Sequence, residues 1–581
     1  DTRARLCDPG VPAAVRSATG LFPAPTVPDP AMFRPTDPQL SLLESKFLVS
    51  AKKRTRLERS WAEAFRTHIL PLIDEEAFRD CFCADNGRPN ASIRMLVGLH
   101  LLKEADDLTD EQALDALEFN LQWQHALGVE PATAHVCEKT LHNFRRLMVG
   151  NERAAALFEQ LTGALVKADG LSAVRQRLDS THVISNIATL SRLGLFTETI
   201  TTFLRDLRRD DPNKLEWLGD FYTERYLYRE GYFADAKRDE ARRRLPLVAR
   251  DLDALVRLFA GDETVREWAS YLLMVRLRDE QCEPAGEPEP EGDAVQLKAP
   301  KDVGGDSLQS PHDADATYGH KGKGYEVQIA ETCVDENPYQ VVTVTSVNGA
   351  HESDQNATIP IIDKLEEVNL KPEVMLADTG FGSGANIIAA AERGVRLVAP
   401  VQDANKPPPR TPGDPSKPRP DAERIDTGSF TFNTTSDQVT GCPEGHAAVE
   451  QHAVRTGFSA SFDGHICATC PLADRCPTRG SVDGKSRTLA WKPAEAATAQ
   501  RQIAQQQSAF KEEYSLRSGI ESTNAELKGR HGGRNLRVRG KARVELSIHL
   551  KLLALNAKRA VQHHVAAAAE LRKPTTVAAA A

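Results

Sequence analysis

Between residues 324 and 401 the periodicity of the chain changes repeatedly, and few folds can absorb the pattern. Gly324–Cys333 and Gln340–Val347 alternate apolar and polar residues as strands do, and Asp335, Glu336, Asn337 and Pro338 between them predict a hairpin turn. A helical stretch around Asn356–Val368 follows. Next come a short apolar strand, Glu373–Ala377, a Gly-rich turn (Gly380, Gly382, Gly384), a helix over Ile387–Arg393 and a strand over Val395–Val401. Strand, strand, helix, strand, helix, strand is the signature of an α/β sheet. A further strand, within residues 173–184, lies far upstream and ends near Asp179, while Asp378 directly follows the strand ending at Ala377. Both aspartates are predicted at strand ends of one sheet, where sites gather in open α/β folds.

That sheet accounts for a fraction of 581 residues, a length that suggests three or four units. A flexible segment is predicted for 1–40, rich in Pro and Ala, and a helical domain for 41–165. A core is assembled from 166–186, 312–402 and 493–561. A helical insert with an acidic linker occupies 187–311, a Pro-rich linker with a Cys-containing insert 403–492, and an Ala-rich tail 562–581. In the helical domain, Thr109 with Gln112 forms a capping box and Gly128 is a stop signal. Lys52, Lys53, Arg54, Arg56 and Arg59 make its start basic, which suits either DNA binding or a solvated helix face.

Hydrophobic residues at 40% and charged residues at 27% are ordinary for a globular protein. No apolar run approaches the roughly 18 residues of a membrane span, and no signal segment opens the chain, so the expected compartment is the cytoplasm. A net charge of −9, taken as an average, argues against nucleic acid. The charge is segregated, however. From Lys528 to Arg559 the basic residues include Arg530, Arg534, Arg537, Arg539, Lys541 and Arg543, and Glu545 is the single acid. With so few acids to pair them, Arg530, Arg534, Arg537 and Arg539 are predicted to contact phosphate. Lys321 and Lys323, in a Gly-rich loop, are weaker candidates, and His182 is read as structural.

A long helix is predicted from Pro493 through Lys528. At 100° per residue, Tyr514, Arg517, Glu521 and Lys528 fall on one side of it, spread over roughly 20 Å. A polar stripe of one acid flanked by bases suits a metal ligand next to phosphates, although ordinary ion pairs on an exposed face have the same spacing. With Asp179 and Asp378, Glu521 completes three carboxylates that can hold two Mg²⁺ or Mn²⁺ ions about 4 Å apart. Phosphodiester transfer uses such a pair because charge builds on both the attacking and the leaving oxygen. Ten cysteines in so long a chain are no disulfide framework. Cys442, Cys467, Cys470 and Cys476 include a CxxC knuckle and suit a structural, tetrahedral Zn²⁺, with His446 or His465 able to replace one ligand.

The spacing Tyr514-x2-Arg517-x3-Glu521-x6-Lys528 resembles the Tyr-Arg-Glu-Lys signature of bacterial insertion-sequence DDE transposases. Leu-Asp179-Ser-Thr-His and Ala-Asp378-Thr-Gly-Phe resemble that family's two aspartate blocks, and the region 41–150 its N-terminal domain. The resemblance implies a multidomain fold. Its parts would be an α-helical N-terminal DNA-binding domain, an α/β RNase H-like catalytic core, a helical insert and a small Cys-rich zinc-binding insert. It implies that Asp179, Asp378 and Glu521 are catalytic and hold two divalent ions, and that Tyr514, Arg517 and Lys528 contact transposon-end DNA. The reaction would be nicking at the element's ends, then attack of the freed 3′-hydroxyl on target DNA. A homodimer on paired ends and a nucleoid-associated bacterial protein follow as expectations. Two other readings share the same residues: a silent DNA-binding descendant, and an RNase H-fold nuclease that only hydrolyses.

Overall fold

The computed structural model describes residues 32–35, 50–83, 89–131, 133–150, 153–188, 190–228, 238–285, 295–402, 425, 427–433 and 438–572. Residues 1–31, most of the acidic linker, the Pro-rich segment 403–424 and the end of the Ala-rich tail lie outside them.

The sheet has six strands: β1 (Arg175–Val183), β2 (Thr317–Gly319), β3 (Gly322–Thr332), β4 (Val342–Gly349), β5 (Val374–Ala377) and β6 (Arg396–Val398). Across it the order is β4–β3–β1–β5–β6, with β2 on the first residues of β3. β3 is antiparallel to β1, β2 and β4, whereas β5 runs parallel to β1 and β6 parallel to β5. The β3–β4 pair is the predicted hairpin. Helices Asp354–Glu367 and Gly384–Glu392 fill the predicted places between β4, β5 and β6. Asp179 is not at a strand end, because β1 stays paired with β3 through Val183. It is instead the first residue past the parallel pairing with β5, whose last partners are Leu178 and Ala377.

The 31-residue helix Lys541–Leu571 packs against β4 and against the N-terminal helices Trp61–His68, Ile93–Ala105 and Arg153–Ala168. Sheet and N-terminal helices therefore share one hydrophobic core. The helix runs on through Ala566–Ala569, in the predicted tail, because alanine is the strongest helix former. The capping box at Thr109 forms, and Gly128 ends the helix Leu121–Leu127 at φ 66°. Helices Arg192–Asp210, Arg238–Phe259 and Ala269–Gln281 enclose a second core. A third, small core lies under the strands Gly457–Asp463 and Ser486–Trp491 of the Cys-containing insert.

The shared core carries buried ionisable groups. Burial alone would push the Glu104 carboxyl up, but Lys551 and Lys103 hold it down at about 2. Lys551 donates to Glu104 at 2.6 Å and so joins the long helix to the N-terminal helix Ile93–Ala105. His100 is fully buried, and burial lowers its imidazole to about 3; His549 is lowered to about 4 for the same reason. Both rings stay neutral in the folded protein while the unfolded chain takes up protons below pH 6.5. Stability is therefore complete above pH 6.5 and declines as pH falls from there. Each ring contributes a loss of about 1.4 kcal/mol by pH 5.5. Denaturant unfolding at pH 7.5 and 5.5 is expected to show that loss, and His100→Leu to halve it. An equal loss in the variant excludes His100 as a source.

Candidate active site

The parallel pairing of β1 with β5 ends at Leu178 and Ala377, and the next residues along the chain are Asp179, still in β1, and Asp378, just past β5. The sharp turn after β5 is shaped by its glycines. The Gly380 amide donates to Asp378 Oδ1 at 2.7 Å, and a Cβ on Gly382 would lie 2.0 Å from the Pro400 carbonyl oxygen. Phe381 anchors the turn in the core.

The third carboxylate arrives on a segment that is not one long helix. Helix Pro493–Ala504 ends at three glutamines, and helix Ser508–Ser515 is followed by a 3₁₀ turn, Leu516–Gly519, before helix Ile520–Gly529 begins. Arg177 on β1 holds this break by donating to the Leu516 carbonyl at 3.2 Å. The approach needs glycine at 519, where a Cβ would lie 1.8 Å from Arg177 Nη1. Arg177 cannot simply turn away, because its Nε donates to Glu331, which is fully buried, at 2.6 Å. The even 100° spacing therefore fails across 516–519, yet Arg517 and Glu521 still meet at i, i+4.

One guanidinium joins the three carboxylates. Arg517 Nη2 lies 3.1 Å from Asp179 and 3.9 Å from Asp378, and Nη1 lies 3.2 Å from Glu521. Burial opposes the charge on Arg517, but Asp179, Tyr514 and Asp378 hold its pKa above the ordinary guanidinium value. Burial also pushes the Asp179 carboxyl above its usual range, against the pull of Arg517 and with a further push from Asp378. Like charges so placed repel unless a cation lies between them.

Among the described residues, no three or more His, Cys, Asp or Glu side chains stand close enough together to hold a metal ion. The carboxylates are spaced by the guanidinium, which is wider than a metal ion. As a donor set they are all hard oxygens on one cation, the chemistry that suits Mg²⁺ or Mn²⁺. That fit rests on the convergence at Arg517.

The other predicted residues divide. Tyr514 stacks on Phe510, and burial raises its pKa. Lys528 is half-buried, and its amine is lowered by burial, then by Lys321 and Arg534 nearby. Arg534 has no ion-pair partner among the described residues, and its backbone carbonyl accepts from Ile184 at 3.0 Å, beside the end of β1. Arg530 lies 3.6 Å from Asp106. Arg537 is engaged by Asp107 at 3.0 Å and by the Asp107 and Leu108 carbonyls, and Arg539 donates to the Asn186 carbonyl. Lys323 donates to the Leu190 carbonyl at 2.6 Å, whereas Lys321 bridges Glu326 and Ser180. His182 lies between Glu326 and the Lys323 carbonyl.

Two residues near the site escaped notice in the sequence. Asn524, one turn after Glu521, donates to Asp179 Oδ2 at 3.0 Å. Glu331 binds Arg177, Arg559 and Thr523. Asn524 could have been found from its i+3 spacing to Glu521; Glu331 looks like any polar residue of an alternating strand.

The four cysteines of the insert, Cys442, Cys467, Cys470 and Cys476, line one cavity together with His446 and Arg487. His465 is not among the lining residues. Backbone amides of His446 and Leu472 donate to the sulfurs of Cys442 and Cys470, each at 3.4 Å. Burial raises the Cys467 thiol, Arg487 opposes, and the other three sulfurs add to the rise.

Two family descriptions match this chain. "Transposase DDE domain" matches residues 441–561, which include the four cysteines, Glu521 and Lys528, and "Transposase domain (DUF772)" matches residues 55–147. No curated protein and no solved structure matches it.

Proposed function

From a chain whose resemblance to the insertion-sequence DDE transposases is borne out by both domain matches, we propose a DNA strand-cleaving and strand-joining enzyme. It nicks the ends of an insertion sequence and joins the 3′-hydroxyl ends to target DNA. The observation that carries this reading is the single guanidinium of Arg517 in contact with Asp179, Asp378 and Glu521. Three carboxylates drawn from β1, the turn after β5 and a helix, up to 342 positions apart (179 to 521), have no structural need to meet on one partly buried cation. An RNase H-like core is supported by the strand order β4–β3–β1–β5–β6, with three antiparallel strands followed by two parallel ones.

Asp179, Asp378 and Glu521 would hold two divalent ions, Mg²⁺ or Mn²⁺, which would supply activation of the attacking oxygen and stabilisation of the leaving one. Arg517, displaced from the carboxylates, is placed to turn to a DNA phosphate. Lys528, whose amine is crowded by Lys321 and Arg534, gains from an anion as neighbour, and Lys528, Arg530 and Arg534 form the phosphate-binding edge beside β1. Arg537 and Arg539 instead join the basic segment to Asp107 and Asn186. The Cys442, Cys467, Cys470 and Cys476 sulfurs, with two amide donors aimed at them, would hold a structural Zn²⁺. The helical region 55–147 contacts DNA, and two copies act on paired ends.

The test is incubation of the full chain with DNA carrying the element's terminal repeats and a supercoiled target, in Mg²⁺ or Mn²⁺. Nicked ends with 3′-hydroxyls and joined products are expected. Cleavage without joining identifies a nuclease, and binding without cleavage identifies a silent DNA-binding descendant.

A further inference from the structure

Asp179 is held from two sides. Its Oδ1 meets Arg517 at 3.1 Å, and its Oδ2 accepts from Asn524 Nδ2 at 3.0 Å. The two contacts differ in kind. Arg517 is a long side chain that a competing cation can displace. Asn524 is short and sits on the same helix as Glu521, so its reach to Asp179 is set by that helix. Its second polar atom is odd: Asn524 Oδ1 is buried and has no hydrogen-bond partner. Buried amide oxygens are nearly always paired, so an orphan on the residue that holds Asp179 calls for a reason. Turning the amide over would not cure it, because Oδ1 would then face the Asp179 carboxylate.

We propose that Asn524 is the positioning residue of the cation site: Nδ2 fixes the plane of the Asp179 carboxylate, and Oδ1 accepts a hydrogen bond from water on the cation that replaces Arg517. The inference rests on the reading of Asp179 as a cation ligand. With Oδ2 occupied by Asn524, Asp179 presents only Oδ1 to the space Arg517 now fills. The helical step from 521 to 524 couples the two ends of the site, so Glu521 and the orientation of Asp179 are set by one rigid turn. Oδ1 would accept from water carried by Mn²⁺ at that position. Outer partners that orient a ligand typically change metal affinity by roughly 10–100-fold when removed.

The experiment is Mn²⁺ titration of the full chain, without DNA, by calorimetry, on wild type, Asp179→Asn, Asn524→Ala and Asn524→Gln. Alanine is favourable within a helix, so Asn524→Ala is expected to fold, with an unchanged circular dichroism spectrum. Its Mn²⁺ affinity is expected to fall about tenfold. Asn524→Gln keeps both polar groups but moves them by one methylene, and its affinity is expected to fall as well; it carries the test if the alanine variant does not fold. Wild-type affinity in a folded Asn524→Ala, together with loss in Asp179→Asn, overturns the role of Asn524 and leaves the site standing. Wild-type affinity in Asp179→Asn overturns the reading of the site and the proposal with it.

Discussion

Glu521→Gln is expected to abolish cleavage of terminal-repeat DNA, by roughly 1,000-fold or more, while DNA binding and its salt dependence stay as in the wild type. The substitution replaces one carboxylate oxygen with an NH2 group and keeps the shape of the side chain. Glu521 sits in the first turn of Ile520–Gly529 and is largely exposed, so no core packing is disturbed. Its carboxylate meets Arg517 at 3.2 Å, and glutamine can still accept that hydrogen bond. What is lost is one negative charge of three at the place where cations would bind. A 1,000-fold loss corresponds to about 4 kcal/mol of transition-state stabilisation, within what one ligand of a metal site supplies. Equal cleavage by both proteins would remove Glu521 from the mechanism. Glu526, five residues on, is the natural control. It faces the long helix, where Lys558 binds it and Arg559 lies at 3.6 Å, and His531 and Lys558 lower its carboxyl to about 2.

The second large effect is on stability. Glu331→Ala is expected to cost about 3–5 kcal/mol, read from denaturant unfolding at pH 7.5. Glu331 is fully buried in β3 and takes Arg177 and Arg559, each at 2.5 Å, and the Thr523 hydroxyl at 2.5 Å. Removing it leaves two guanidiniums, only 12% and 16% exposed, without their shared counter-charge. A buried pair contributes little net stability when formed, but breaking it strands the desolvated partners. The comparison is Glu513→Ala, whose partner Arg396 is more than half exposed, and whose loss should cost less than about 1 kcal/mol. Equal effects of the two substitutions would refute the argument. Activity should fall with Glu331→Ala as well, since Arg177 holds the Leu516 carbonyl and Glu331 holds Thr523, on either side of Glu521.

What the chain's own order of residues determined was local. The β3–β4 hairpin, the strand that leads into Asp378, the capping box at Thr109 and the stop at Gly128 each depend on neighbours a few positions away. Periodicity and backbone preference report such features directly, and the structure has them where they were expected. The acid–base spacing from Tyr514 to Lys528 was equally legible, because it is a pattern within one short segment.

Tertiary structure decided the rest. Periodicity predicts one helix for the segment that carries Glu521, but a 3₁₀ turn interrupts it where Arg177, more than 300 residues upstream, takes the Leu516 carbonyl. Nothing near Asp179 in sequence reveals that it lies mid-strand, since the partner that extends β1 is β3, 144 residues away at His182 and Glu326. Arg537 looked as free as Arg534 in a run with one acid, yet Asp107 binds it from the N-terminal domain. Glu331 carried no local signal of its role, and the i+3 spacing of Asn524 to Glu521 did not name Asp179 as its partner, because burial and the identity of the facing groups exist only once the sheet and the helix behind it are assembled. The short-range code wrote the elements; the register of β1 with β5 and the ion pairs across the core brought three carboxylates to one arginine.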